Sequence, residues 1–277
     1  MTLQNTKAAL LLKYHQDGAT LLLPNAWDCA SARLFEEAGF PAIGTTSAGI
    51  AFAQGYSDGQ QIPREEMMQV IARIAATVQV PVSADIEAGY GPTIDDVAET
   101  VRGAIAAGAV GVNLEDNMGM LKPLYPLGQQ VERIAAAREA AERADLALVI
   151  NARIDTYLFA IGEEGARLDD TIRRARAYLQ AGADCIFVPG ATDPSLISIL
   201  VHEIPGPLNI MVGPGILSAP ELFKLGVTRV SVGGAAMLAA MGFVRAIARE
   251  LQEQGTYTQM ASQSRELADV WNLFQKK

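Results

Sequence analysis

A short phrase recurs along the chain: an amphipathic helical stretch, a glycine, then a brief and nearly all-apolar run. It is written four times, as LFEEAGFPAIGTT, AIAAGAVGVNLED, YLQAGADCIFVPG and LFKLGVTRVSVGG. In each, the glycine (Gly39, Gly108, Gly182, Gly226) stands where a helix C-terminus calls for a left-handed residue. The run after it lacks alternation, as expected of a strand covered on both faces. TLLLPN, VPVSADIE, LALVINARID and PLNIMVGPG supply the other strands, so strands are predicted near 20–25, 41–46, 80–86, 110–115, 147–153, 184–188, 207–212 and 228–232. Helical patterns such as REEMMQVIARIAATV and DDTIRRARAYLQ separate them. Eight β/α repeats predict a closed parallel (β/α)8 TIM-type barrel rather than an open doubly wound sheet. No glycine-rich dinucleotide fingerprint follows the first strand, where PNAWDCASARL stands instead. Beyond the eighth strand come a helix over Ala235–Leu251 and another near 258–274, more than a barrel needs to close. The chain thus reads as one domain over 1–277, with 235–277 a helical C-terminal extension available for oligomerisation.

Composition changes this picture little. The 277 residues suit one barrel, and 50% hydrophobic against 19% charged residues provide a sizeable core. A formal net charge of −9 argues against nucleic acid and anionic membranes as partners. It leaves room for a small anionic substrate, because one metal ion and one arginine reverse the sign inside a pocket. Cys29 and Cys185 sit in apolar patterns and read as core, too few for a disulfide framework, so a cytoplasmic location is expected. No 18-residue apolar stretch and no signal-peptide pattern is present, so neither export nor membrane spanning is expected. His15 and His202 read as peripheral, and no Ser-His-Asp or Cys-His constellation is apparent.

Barrel active sites lie at the C-terminal ends of strands. The second predicted strand ends in Thr45-Thr46-Ser47-Ala48-Gly49 and runs on to Ser57-Asp58-Gly59; the third ends in Asp85-Ile86-Glu87. The fourth ends in Asn113-Leu114-Glu115-Asp116 and the fifth in Asn151-Ala152-Arg153-Ile154-Asp155. Asp85 and Glu87, two apart, point to one side of a strand, and Glu115 lies on its neighbour. Carboxylates converging there repel unless a cation sits among them. Hard oxygen donors with no histidine or cysteine nearby suit Mg²⁺, with Mn²⁺ as the alternative. Asp95, Asp116, Asp169 and Asp193 read instead as solvated loop acids or helix caps. Arg153 closes a buried run and needs an anion: Asp155 or Glu115 structurally, or a substrate carboxylate or phosphonate. The Thr46–Gly49 segment offers hydroxyls and unhindered N–H groups to an anion.

These residues resemble the isocitrate lyase/phosphoenolpyruvate mutase superfamily of Mg²⁺-dependent barrels, over most of the chain from PNAWDCASARLFEEAGF to SVGG. The most specific part is DIEAGYG, which is similar to the family's D-x-D-x-G-[FY]-G, followed in order by GVNLED and NARID. The resemblance implies that Asp85 is a direct metal ligand, with Glu87 and Glu115 in the metal's shell, partly through water. It implies that Thr46, Ser47 and Ala48 hold an α-oxo acid carboxylate, that Arg153 neutralises the substrate, and that Asp58 is the acid of a mobile segment after strand two. Asp58, Arg153 and Glu115 are therefore the expected catalytic residues, and Asp85 also meets substrate. The chemistry implied makes or breaks a bond next to an α-oxo acid, through a pyruvate-like enolate. A swapped C-terminal helix and a homodimer or homotetramer are implied as well.

The chain departs from the family's isocitrate and methylisocitrate lyases, which carry a Lys-[Lys/Arg]-Cys-Gly-His loop. Here NMGMLKPLYPLGQQ holds neither cysteine nor histidine. Val188-Pro189-Gly190 and Val212-Gly213-Pro214 stand where those lyases place a glutamate and an asparagine. A smaller oxo acid is expected. The leading expectation is a Mg²⁺-dependent lyase cleaving or decarboxylating a small α-oxo or 2-hydroxy dicarboxylate. The alternatives are a P–C bond enzyme, either phosphonomutase or phosphonopyruvate hydrolase, and a non-catalytic barrel that binds α-oxo acids.

Overall fold

The structure, a computed structural model, describes residues 2–16, 18–119, 123–213, 215–264 and 273–274. The chain divides into two compact units, Met1–Gly234 and Ala235–Lys277.

The first unit is the expected parallel barrel. Its strands are β1 (Leu21–Leu23), β2 (Asn25–Ala26), β3 (Ile43–Thr45), β4 (Val82–Asp85), β5 (Gly111–Glu115), β6 (Val149–Arg153), β7 (Cys185–Phe187), β8 (Leu208–Met211) and β9 (Arg229–Ser231). They lie in the order β1-β9-β8-β7-β6-β5-β4-β3-β2. Nine strands replace the eight expected because Pro24, which has no N–H, divides the first. Its two halves serve different neighbours: β1 pairs with β9 and β2 with β3, so the sheet closes on itself there. The Asn25 side chain fastens this seam. Its Nδ2 donates to the Thr45 carbonyl at 2.8 Å, and its Oδ1 accepts from Val232 N at 3.0 Å and Gly233 N at 2.9 Å. Gly44 leaves room for it, since a Cβ there would stand 2.7 Å from Asn25 Nδ2.

Helices alternate with the strands: α1 (Leu3–Lys13), α2 (Cys29–Glu37), α3 (Ser47–Gln54), α4 (Arg64–Thr77), α5 (Ile94–Ala106), α6 (Leu127–Arg143), α7 (Glu164–Gln180), α8 (Pro194–Glu203) and α9 (Ala219–Lys224). Their starts are written locally. Asp28 and Ser31 form a capping box on α2, Thr93 and Asp96 another on α5, and Asp193 caps α8. The four phrase glycines take φ of 88° to 107°, closing helices as expected. Asp95 lies in the first turn of α5 and Asp169 within α7, both exposed.

The core lies between sheet and helices and inside the barrel. Leu11 of α1 reaches the barrel's N-terminal end, where a Cβ on Gly111 would stand 2.8 Å from it. Two expectations need correction. His15 is buried, 4% exposed, because the turn after α1 folds against the barrel floor. Cys29 is half-buried at the first position of α2, whereas Cys185 is buried in β7 as expected.

The second unit contains α10 (Ala235–Gln254) and α11 (Thr258–Ser264). α10 exposes Leu238, Met241, Val244 and Leu251. The sequence sets Leu267, Val270, Trp271 and Phe274 on one apolar stripe at helical spacing; the first three lie outside the described residues, and Phe274 is exposed. Among the described residues, no helix is long and apolar enough to cross a membrane.

Candidate active site

The strand ends converge. Asp85 closes β4, Glu115 closes β5 and Arg153 closes β6. Glu115 and Arg153 are register partners, which sets their side chains side by side. Arg153 Nη1 meets Glu115 Oε2 at 2.6 Å, and Arg153 Nε donates to Asp155 Oδ1 at 2.6 Å. Both structural partners considered for Arg153 are thus engaged at once. Its guanidinium also lies 5.9 Å from the Phe187 ring centroid.

Glu87 follows β4 with φ of 50°, a left-handed conformation unusual for a side-chain-bearing residue and typical of sites under functional constraint. Its Oε2 accepts from Gln60 N at 2.5 Å and its Oε1 from the Tyr90 hydroxyl at 3.1 Å. Glu87 O in turn accepts from Glu115 N at 3.0 Å, tying the two acidic rims together.

The Thr46–Gly49 segment carries hydrogen bonds within the protein. Thr46 caps α3, accepting from Gly49 N at 3.3 Å. Ser47 turns to Asp85, whose Oδ2 accepts from Ser47 N at 3.0 Å and Ser47 Oγ at 2.8 Å. Ala48 is half-buried beside them. Ser47, Asp58, Glu87, Glu115, Asn117, Arg153 and Phe159 line one small cavity. Asp58 therefore joins the group from the segment after α3, as the sequence suggested, while Asp85 stands just behind through Ser47.

Electrostatics show how crowded this negative charge is. Burial, then Asp85 and Asp58, push the Glu87 carboxyl up to about 7, against the opposing hydrogen bonds from Gln60 and Tyr90. Burial and the nearby Asp85 raise Asp58. Burial raises Glu115 well above the ordinary range; Arg153 opposes this, and Asp155, Asp85 and Glu87 add to it. For Arg153, burial works against the charge, and Asp155, Glu115 and Asp85 more than reverse it, so its pKa is raised. The pocket carries more negative than positive charge, which is the condition that draws in a cation.

Among the described residues, no three acidic, histidine or cysteine side chains stand close enough to cage an ion by themselves. The donors present are carboxylate and hydroxyl oxygens. Such a set fits a hydrated hard cation that takes one or two direct protein oxygens and completes its shell with water.

Asp116 is a further correction. Far from being a solvated loop acid, it is fully buried. It accepts from Asp155 N at 3.0 Å, the Tyr178 hydroxyl at 2.8 Å and Arg174 Nη1 at 3.2 Å. Burial and Asp155 push its carboxyl up to about 7, with Arg174 opposing. Directly after Glu115, it must point to the opposite face of the strand, outward to the helix layer, and that alternation was legible. Asn117, also missed, donates to Asp155 and so helps hold the acid that orients Arg153. Glu115 and Asp116 thus divide the work: one faces the cavity, the other anchors the Asp155 backbone.

The sequence model of the phosphoenolpyruvate phosphomutase family matches residues 11–252. An oxaloacetate decarboxylase of Rhodopseudomonas palustris is 32% identical over 225 residues, covering 78% of this chain and 74% of that one. A Burkholderia cenocepacia protein of known structure is 42% identical, with a TM-score of 0.88 over 94% of this chain and 93% of its own. A phosphoenolpyruvate phosphomutase from Streptomyces platensis is 27% identical, with a TM-score of 0.85 over 96% and 94%. The DIEAGYG, GVNLED and NARID phrases therefore mean what they resembled: the chain belongs to the phosphoenolpyruvate phosphomutase family, within the isocitrate lyase/phosphoenolpyruvate mutase superfamily of lyases and mutases.

Proposed function

We propose that this protein is a divalent-metal-dependent carbon–carbon lyase acting on a small α-oxo or 2-hydroxy dicarboxylate, by retro-aldol cleavage or oxaloacetate-type decarboxylation. The observation that carries this reading is the cavity in which Asp58, Glu87, Glu115 and Arg153 meet, with Asp85 behind Ser47. Asp85, Glu87 and Glu115 would hold the ion, Mg²⁺ or Mn²⁺, directly or through water. When bound, the ion supplies positive charge beside the oxygen on which negative charge develops as the bond breaks.

The chain's own residues do the rest. Arg153 offers a planar fork to a substrate carboxylate, and Asp155 fixes that fork from behind. Thr46, Ser47 and Ala48 lie at the start of α3, where backbone N–H groups and the helix dipole favour an anion. Binding there requires Ser47 to share or exchange its hydrogen bonds to Asp85. Asp58, with its raised carboxyl, is the group placed to carry a proton to or from the substrate carbon.

The remaining strand ends favour a compact substrate. Val188 is buried, and Gly190, at φ 83°, packs so near Leu158 that a Cβ would stand 2.7 Å from its backbone N. No polar side chain is available from either residue for the extra carboxylates of a tricarboxylate. The R. palustris relative is an oxaloacetate decarboxylase, and oxaloacetate is a small diacid of the same class. P–C bond chemistry is the second reading, favoured by the likeness to the S. platensis phosphomutase. The second unit, with the exposed apolar residues of α10, is our proposed surface for assembly into a homo-oligomer.

The test is Mg²⁺-dependent turnover of a panel of oxaloacetate, substituted malates and phosphonopyruvate, read as release of pyruvate and, for phosphonopyruvate, also as formation of phosphoenolpyruvate. Turnover of the diacids alone is expected. Phosphonopyruvate turnover alone moves the protein to P–C chemistry, and Mg²⁺-dependent binding of the panel without turnover would make it an oxo-acid-binding barrel.

A further inference from the structure

The barrel interior beneath the site holds an unusual charge. Arg229, in β9, is fully buried. β9 and β5 are four strands apart in either direction round the closed barrel, which places them on opposite walls. Yet Arg229 Nη2 donates to Asn113 Oδ1 of β5 at 3.2 Å. The side chain therefore crosses the lumen, and its guanidinium lies across the barrel axis.

Little compensates it there. Among the described residues its Nε and Nη1 have no hydrogen-bond partner, and Asn113 Oδ1 is shared with Asn151 Nδ2 at 2.8 Å. Layers at this depth of a barrel are usually filled by branched aliphatic side chains. A buried guanidinium without an ion pair costs several kcal/mol and is retained against that cost. Packing alone gives no reason to keep it.

Its surroundings say what it serves. His15 faces it from the floor and Cys185 from β7; burial pushes the histidine down to about 4 and the thiol up to about 12, so both are neutral near pH 7. Asp85, from β4, is the negative group that faces it among the described residues. Asn113 is the register partner of Asp85 and precedes Glu115 by two residues on the same face. Adjacent strands lie about 4.8 Å apart and same-face residues about 7 Å, so the guanidinium lies about level with Asp85 and roughly one such step below Glu115.

We propose that Arg229 is a positioning residue of the site: a cation on the barrel axis that weakens the acids' grip on a bare metal ion and strengthens binding of the anionic oxo acid. Metal and substrate then bind best as a pair. The inference rests on the metal and oxo-acid reading above, but it concerns charge placed where no substrate reaches.

The test uses the full chain with Arg229→Met, Arg229→Lys and Asn113→Asp, the last of which neutralises the guanidinium in place. Mn²⁺ affinity is read from the electron paramagnetic resonance signal of the free ion. Oxalate, a small dianion with paired carboxylate oxygens, is titrated calorimetrically into the Mn²⁺-saturated protein. Even at the full screening of water, a unit charge at this range predicts that Arg229→Met binds Mn²⁺ tighter and oxalate weaker by about ten-fold or more. Asn113→Asp should move both in the same directions, and it carries the test if Arg229→Met does not fold. Arg229→Lys should stay near the wild type in both. Affinities that are unchanged, or that weaken together, would show a merely structural role and overturn the proposal. A lysine variant behaving like the methionine variant would do the same. If wild-type protein binds no Mn²⁺, the metal reading itself fails and the inference falls with it.

Discussion

His15 makes the fold's stability depend on pH in a way that can be calculated. Its Nδ1 lies 2.9 Å from the Leu11 carbonyl, which can only accept, so Nδ1 carries the hydrogen and Nε2 is a bare lone pair. Nε2 is buried and, among the described residues, has no hydrogen-bond partner. Protonation would bury a cation near Arg229, and burial followed by that arginine depresses the pKa to about 4. The unfolded histidine titrates near 6.5, so the neutral form is favoured in the fold by about 3 kcal/mol. This contribution is fully present above pH 6.5 and is lost as the pH falls through about 4. By pH 5, linkage predicts that about 2 kcal/mol has gone. His15→Asn keeps a donor for Leu11 and removes the titration. Urea unfolding of both proteins at pH 8 and pH 5 measures the difference, and titrations of Glu87 and Asp116, common to both, cancel. Equal losses of stability in the two proteins would refute the argument.

Other outcomes follow from the site. Asp85→Ala should lose measurable Mn²⁺ binding while its circular dichroism stays native, because Asp85 lies at the rim; unchanged affinity would remove it from the metal's shell. Arg153→Lys should lower kcat/KM by the equivalent of about 2–4 kcal/mol, since charge survives but the fork does not. A lysine variant near wild type would leave Arg153 a structural role only. Arg174→Met strands the buried Asp116 and should cost about 3–5 kcal/mol in urea unfolding, whereas a cost under 1 kcal/mol would mean that Tyr178 and Asp155 suffice. Ending the chain before Ser262 should shift an oligomer toward monomer or aggregate by light scattering. A monodisperse full-length monomer at micromolar concentration argues against assembly through the second unit.

What could be read from residues alone was what local physics writes locally. The helix–glycine–strand phrase placed four strands and apolar runs between turn residues placed the others; Pro24 was in plain view, although its division of labour between β1 and β2 needed the closed barrel to have meaning. Glu87, Glu115 and Arg153 were read from strand ends that share one mouth and Asp58 from the family resemblance, and these four line one cavity. Asp116 was misassigned because a carboxylate after a strand looks solvated until Arg174 and Tyr178, some 60 positions on, fold over it. Arg229 could not be found at all. Within RVSVGG it is one more residue of a strand, and only the opposite wall, 116 positions away, shows that it spans the lumen.

The seam at Asn25 sets a schedule for the chain's birth. Its amide waits for Gly233, 208 residues later, before the ring can close. At about 5–20 residues per second, synthesis leaves the amide oxygen unmatched for roughly 10–40 s, with β1 offering an open edge meanwhile. Closure is also a contact of very high sequence separation, the kind that slows folding. A ribosome stalled before β9 therefore holds a sheet with two sticky borders, which chaperones would have to shield until the last strand emerges.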